Sequence, residues 1–92
     1  MPGAAAFAAE GLVPAGAYRN RDHLAGKVCF LAGVPLSMQD VLFDPQTAGG
    51  LLISVAEADA VRLLAALGEG DAGWGRIIGH VLPPEETAIT VE

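Results

Sequence analysis

The fold is decided by residues 43–52, with the sequence FDPQTAGGLL, which join a predicted helix to a predicted strand. Pro45 fixes one φ angle and pushes Asp44 away from helical backbone angles, so the helix must end there. The glycine pair permits positive φ angles and the close approach of another backbone or a ligand. Residues 51–55 read LLISV, an apolar run that predicts a strand buried on both faces and central in its sheet.

Before this corner, which comprises residues 44–50, the chain predicts two helices and a strand. The first helix is rich in alanine and ends at Gly11, with Pro2 in its first turn, where a missing N–H costs nothing. Residues 12–27 show no sustained helical or strand period and predict an irregular loop. The predicted elements are a helix at residues 3–10, a strand at 28–31 and a helix at 35–43.

After the corner, residues 57–67 predict the clearest helix, with acidic residues in its first turn and Gly68 at its end. Its apolar stripe must face a sheet and consists of Ala60, Leu63, Leu64 and Leu67. Residues 70–75 are rich in turn formers, and Trp74 among them is expected to anchor over an edge of the core. Two further strands are predicted, at residues 76–82 and 87–91.

This order of elements predicts an α/β (α+β) fold, in which helices flank one mixed sheet. The 92 residues suffice for one small domain, and no internal repeat is visible. With 52% hydrophobic residues, the composition is too apolar for a disordered chain. No apolar run approaches the ~20 residues that a bilayer requires, so we expect no membrane association.

The charge balance argues against nucleic acid as a partner. Five Lys and Arg face eleven Asp and Glu, giving a formal charge of -6 and no basic field for phosphates. The single cysteine cannot form an internal disulfide, and the first residues do not resemble a secretion signal. A cytoplasmic location is therefore expected.

The corner is the first candidate site, because it carries a carboxylate, an amide, a hydroxyl and two glycines. Phosphate loops of the common kinds run from a strand into a helix N-terminus, whereas this segment runs from a helix into a strand, so no helix dipole assists it. Two interpretations are open: a ligand loop, or a structural corner in which Asp44 and Thr47 cap local backbone groups. The pattern alone favours the second.

The second candidate site is the polar cluster at residues 19–23, RNRDH, which with Lys27 holds three of the five cationic side chains. Guanidinium groups suit carboxylates and phosphates, so a small anion could bind there. The alternative is a solvated loop in which Asp22 neutralises its neighbours.

The remaining reactive side chains predict no catalytic group. Cys29 lies in an apolar strand, where a thiol reacts poorly, and His80 has no second His or Cys at metal-binding spacing. No catalytic dyad, phosphate loop or metal cluster can be assembled. We therefore predict no catalytic residue and no metal ligand in this chain.

Taken together, four motifs make the chain resemble the C-terminal part of the selenophosphate synthetase family. They are PGA at residues 2–4, VPAG at 13–16 followed by Arg19-Asn20, LFDPQTAGGLL at 42–52, and IG at 78–79. The chain departs from the family pattern at Ala15, Ala17 and Ala48, where glycine, threonine and serine are usual. The last change removes a hydroxyl from the corner.

The resemblance implies an enzyme that makes selenophosphate from selenide and ATP with Mg²⁺, as a dimer, within the aminoimidazole ribonucleotide synthetase superfamily. It implies a three-layer domain with partial ferredoxin-like topology. The family's catalytic Cys or selenocysteine, its Lys and its metal-binding aspartates belong to the N-terminal region. Residues 1–92 are thus expected to form a partial C-terminal domain that is inactive alone and holds neither Mg²⁺ nor ATP.

The same resemblance assigns residues to the substrate or ATP cleft and implies partners. The cleft wall would include Asp44, Gln46, Thr47, Gly49 and Gly50, while Arg19 and Asn20 would contact an anion. The expected partner is the N-terminal domain. Without it, an uncovered sheet edge and apolar face predict self-association as a homodimer or higher oligomer.

Two alternatives to this enzyme are open. The chain could be a free-standing binding or assembly module of the same fold. It could also belong to another member of the superfamily, such as a thiamine monophosphate kinase, a hydrogenase maturation protein or a purine-pathway enzyme. The corner beside the Arg-Asn pair favours the selenium enzyme.

Overall fold

The computed structural model describes residues 3–68 and 75–92, so the predictions for Pro2 and Trp74 lie outside the described residues. The described part is α+β, as predicted. Its elements are α1 (Ala4–Ala9), α2 (Ala15–His23), β1 (Val28–Phe30), α3 (Leu36–Leu42), α4 (Glu57–Gly68) and β2 (Ile89–Val91). The chain divides into one unit of Met1–Gly49 with Pro84–Glu92 and a second unit of Gly50–Pro83.

In the first unit, β1 and β2 form a parallel two-stranded sheet. The register pairs Val28 with Ile89 and Phe30 with Val91, and Leu31 N–H extends the ladder by donating to Val91 O at 2.9 Å. Parallel strands require a long crossover connection, and the residues between Phe30 and Ile89 provide it. The predicted strands at 28–31 and 87–91 are confirmed, each in a shorter form.

Both α1 and α2 pack against α3. The predicted end of the first helix is confirmed, because Gly11 has a φ of 81° and closes a Schellman motif. In this motif Leu12 N–H donates to Phe7 O and Gly11 N–H donates to Ala8 O, both at 3.0 Å. The buried apolar side chains among the described residues are those of Ala8, Ala17, Val34 and Phe43.

The prediction of an irregular loop at residues 12–27 is wrong, because α2 occupies its centre. Pro14 precedes the helix with φ −67° and ψ 144°, the extended geometry of a residue at a helix start. Only Ala17 is buried, so an apolar period could not reveal the helix. After the helix, Gly26 takes a φ of 76° in a turn closed by Lys27 N–H donating to Leu24 O.

In the second unit, α4 has the predicted bounds within a residue, and its apolar stripe is half-buried. The described residues of this unit contain no strand for the stripe to face. A Cβ atom added at Gly75 would lie 3.0 Å from Leu64 Cδ2, which places the backbone of residue 75 against the helix.

Two predicted strands are absent from the described residues. They are the strand at 51–55, predicted to be central, and the strand at 76–82, which contains His80. Their apolar side chains are exposed instead, with Leu51 at 90% and Val81 at 87%. A strand is maintained by ladder hydrogen bonds to a neighbour, and no described residue supplies them here. An apolar pattern alone therefore does not produce a strand.

Candidate functional site

The start of the corner lies against α2. Asn20 Nδ2 donates a hydrogen bond of 2.9 Å to the carbonyl oxygen of Phe43, the residue that caps the C-terminus of α3. One helical turn earlier, the Pro45 ring lies on the backbone of α2 at Gly16. A Cβ atom added there would be 2.5 Å from Pro45 Cγ, closer than atoms can pack. Two predicted motifs, VPAG-Arg-Asn and Phe-Asp-Pro, are thus brought together.

A charged pair joins the same two helices. Arg21 Nη2 lies 2.6 Å from Asp40 Oδ1, and the side chains are 32% and 11% exposed. The guanidinium carbon lies 5.5 Å from the centre of the Phe43 ring, and Phe30 meets that ring edge-on at a centroid distance of 5.5 Å. The predicted neutralisation of the cluster by Asp22 is therefore wrong for Arg21, since the carboxylate comes from α3.

The corner folds on itself after Pro45. Gln46 N–H donates to Asp44 O at 2.8 Å, and a Cβ atom added at Gly49 would lie 2.9 Å from Gln46 Oε1. Neither glycine of the pair adopts a positive φ in the described chain, and the Gln46 side chain that lies against Gly49 is flexible enough to move aside. Within the described residues, the side chains of Asp44 and Thr47 make no hydrogen bond, so the local capping required by the structural interpretation is not formed.

Arg19 is the candidate cation that stays open to solvent. It is exposed, and it makes no ion pair within the described ranges, whereas Arg21 is held by Asp40 and Arg62 by Asp59. Asn20, its predicted companion, is half-buried and directs its amide donor to Phe43 O. Although the two residues are adjacent in sequence, Arg19 faces solvent and Asn20 contacts the end of α3.

The remaining predicted site residues are exposed: Asp44, Gln46, Thr47, Gly49 and Gly50. Gly50 opens the second unit, and the other four belong to the first. In residues 3–68 and 75–92, no three His, Cys, Asp or Glu side chains lie close enough together to hold a metal ion. Among the helices described, none combines the length and the apolar character needed to cross a bilayer.

Three residues that make these contacts had no predicted role in them: Gly16, Arg21 as a partner of α3, and Asp40. A usable signal was the four-residue spacing of Gly16 and Asn20, which places both on one face of a helix. The opposite charges of Arg21 and Asp40 lie 19 positions apart, so no local rule pairs them.

Comparison with curated proteins gives similarity along nearly the whole chain. It is 42% identical over 91 residues to a selenide, water dikinase of Clostridioides difficile (strain 630), covering 99% of the chain and 26% of the relative. Identity to the selenide, water dikinase of Agathobacter rectalis is 49% over 81 residues, which cover 85% of the chain and 24% of the relative. Along nearly its whole length, the chain is similar to the C-terminal part of selenide, water dikinases.

The selenide, water dikinase of Geobacter sp. (strain M21) extends this agreement, at 45% identity over 97% of the chain and 25% of the relative. The chain spans about a quarter of the length of the family members that it matches, and it corresponds to their C-terminal part. No protein-family model and no solved structure matches it. The family resemblance predicted from the motifs is confirmed.

Proposed function

We propose that the chain is the C-terminal part of an ATP-dependent selenophosphate synthetase, which converts selenide, ATP and water to selenophosphate, AMP and phosphate. In this proposal residues 1–92 form a partial C-terminal domain that supplies scaffold and one wall of the active-site cleft. The observation that carries it is the identity of 42–49% to selenide, water dikinases over 85–99% of the chain.

Contact with an anionic group of ATP or selenide is assigned to Arg19, which is exposed, makes no ion pair with another described residue and precedes Asn20 on α2. A guanidinium presents paired N–H donors that suit phosphate oxygens. The corner follows α3, and its residues Asp44, Gln46 and Thr47 belong to the same unit as Arg19 and offer their exposed polar groups as cleft wall. Asn20 is reassigned from anion contact to support of this wall, because Phe43 O takes its amide donor.

The Mg²⁺ that the family implies does not fit the described residues, which bring no three metal-binding side chains together. Its ligands and the reactive groups are assigned to the larger part of the parent protein. A dimeric parent and a cytoplasmic location belong to the same proposal. The single cysteine, half-buried in β1, is in keeping with a reducing compartment.

The test is selenide-dependent ATP consumption by the full-length parent and by the 92-residue chain. We expect turnover by the parent and none by the chain.

In the parent, Arg19→Ala should raise the KM for ATP or selenide by at least about tenfold, the effect of losing one charged hydrogen bond. Arg62→Ala is the matched control, because Arg62 is exposed and already paired with Asp59. A parent that consumes no ATP with selenide would refute the function, and an unchanged KM would refute only the role of Arg19.

The exposed apolar segments support a further part of the proposal, namely that the preceding part of the parent covers them. Leu51, Leu52, Ile78 and Val81 are each 79–90% exposed, and large apolar side chains left this open are candidates for contact with a partner. We predict that the chain alone self-associates with rising concentration in sedimentation equilibrium. Co-expression with the preceding part should replace these oligomers by a defined complex. A chain that stays monomeric at high concentration with its helical signal intact would contradict this prediction.

A further inference from the structure

The contact between α2 and the corner depends on the absence of a side chain at one position. The Pro45 ring fills the space that a side chain at Gly16 would need, since a Cβ atom there would be 2.5 Å from Cγ and 3.0 Å from Cβ of the proline. A proline ring cannot swing away as a flexible side chain can, because it is closed onto its own backbone. Any atom added at Gly16 must therefore displace the corner relative to α2.

A second contact on the same face of α2 reinforces the first. Asn20 lies one turn after Gly16, and its amide donates to Phe43 O, two residues before Pro45. The end of α3 and the start of the corner are thus held at two points along α2. Beyond Pro45, Gln46 contacts the corner itself: its N–H donates to Asp44 O, and its Oε1 would lie 2.9 Å from a Cβ atom added at Gly49.

We propose that Gly16 and Asn20 are positioning residues. Gly16 leaves room on α2 for the Pro45 ring, and the Asn20 amide holds Phe43 by a hydrogen bond. Together these contacts set where the corner presents Asp44 and Gln46 to substrate. This inference rests on the proposed function, because it concerns the cleft wall of that enzyme. It assigns the two residues no contact with substrate. Their action passes through Pro45 and Phe43.

The test compares Gly16→Ala, Pro45→Ala and the double variant in the full-length parent, with ATP and selenide as substrates. Gly16→Ala should lower kcat/KM by about ten- to a hundredfold, the effect of misplacing a binding wall by about an ångström. Pro45→Ala removes the ring atom at 2.5 Å, so the double variant should lose less than the product of the two single losses. Gly68→Ala is the control, because no atom lies within 4 Å of a Cβ added at that helical glycine.

The Asn20 arm uses a change of chemistry at constant shape. Asn20→Asp keeps the size of the side chain but replaces the amide donor by an oxygen that faces Phe43 O, so kcat/KM should fall, with the larger share in KM. Asn20→Gln retains the donor and should recover part of the loss. A role confined to stability would lower the melting temperature in these variants without the split between KM and kcat.

Hydrogen exchange provides a readout that does not need activity. In the same parent protein, Gly16→Ala should speed amide exchange at residues 46–49 and leave α4 unchanged. Multiplicative single losses, an unchanged kcat/KM in Gly16→Ala, or unchanged exchange at residues 46–49 would each overturn the inference. A wild-type parent without selenide-dependent turnover would instead refute the proposed function, and the exchange measurement would still decide the positioning role.

Discussion

Replacing Phe43 by alanine is expected to lower the free energy of unfolding of the chain by about 3–4 kcal/mol, the usual cost of removing a buried aromatic side chain. Phe43 is 8% exposed and is the largest of the buried apolar side chains in the described residues. Its ring meets Phe30 of β1 edge-on and lies beneath the guanidinium of Arg21 on α2. One side chain therefore joins three elements.

The control is the neighbouring residue. Leu42 is the last residue of α3 and is 54% exposed, so Leu42→Ala removes an apolar side chain of similar volume that has little burial to lose. We expect a change below about 1 kcal/mol for it. Urea unfolding followed by far-ultraviolet circular dichroism measures both variants. Equal losses for Phe43→Ala and Leu42→Ala would show that the packing described around Phe43 does not stabilise the chain.

The elements that sequence patterns predicted correctly are those with local signals. The alanine run before Gly11 and the acidic first turn of α4 specify their helices without reference to the rest of the chain. Pro45 stops α3 by its effect on Asp44, and the observed end at Leu42 agrees. Residues within a few positions of one another decide these boundaries, so a pattern can detect them.

The errors concern elements whose stability comes from distant residues. α2 has one buried residue, Ala17, and depends on its contacts with Pro45, Phe43 and Asp40, none of which a short window of sequence contains. At residues 51–55 the error is the opposite one, because a strand was predicted and none forms. The run has the composition of a buried strand, but no described residue pairs with it in a ladder. Propensity is a weak prior in both cases, because tertiary contacts override it.

The candidate site shows the same division. The motif containing Phe43 and Pro45 and the motif containing Gly16 and Asn20 were predicted separately, and the structure brings them into contact. Asn20 contacts Phe43 whereas Arg19 is exposed, and this difference could not be predicted because it depends on which side of α2 faces α3. Helical phase would have separated them once α2 was recognised, since adjacent helical residues point about 100° apart.

Arg21→Met is expected to cost about 2–3 kcal/mol, because it leaves the Asp40 carboxylate without its cation in a site that is 11% exposed. Methionine preserves the apolar stem that packs near Phe43, so the loss reports mainly on the charge. The value is below the 3–5 kcal/mol typical of a fully buried pair, since about a third of the Arg21 side chain is open to water.

The reverse change should cost less, which makes the pair asymmetric. Asp40→Asn removes the negative charge but keeps an oxygen that can accept a hydrogen bond from Arg21, and the guanidinium reaches solvent, so we expect about 1 kcal/mol. In the double variant Arg21→Met with Asp40→Asn, no charge remains to be buried, and its stability should exceed that of Arg21→Met alone. Urea unfolding of the wild type, the two single variants and the double variant measures these differences in the free energy of unfolding. Losses that are equal for the single variants and add in the double variant would mean that solvent screens the pair, and that α2 is held on α3 by Asn20 and the Gly16–Pro45 contact without help from charge.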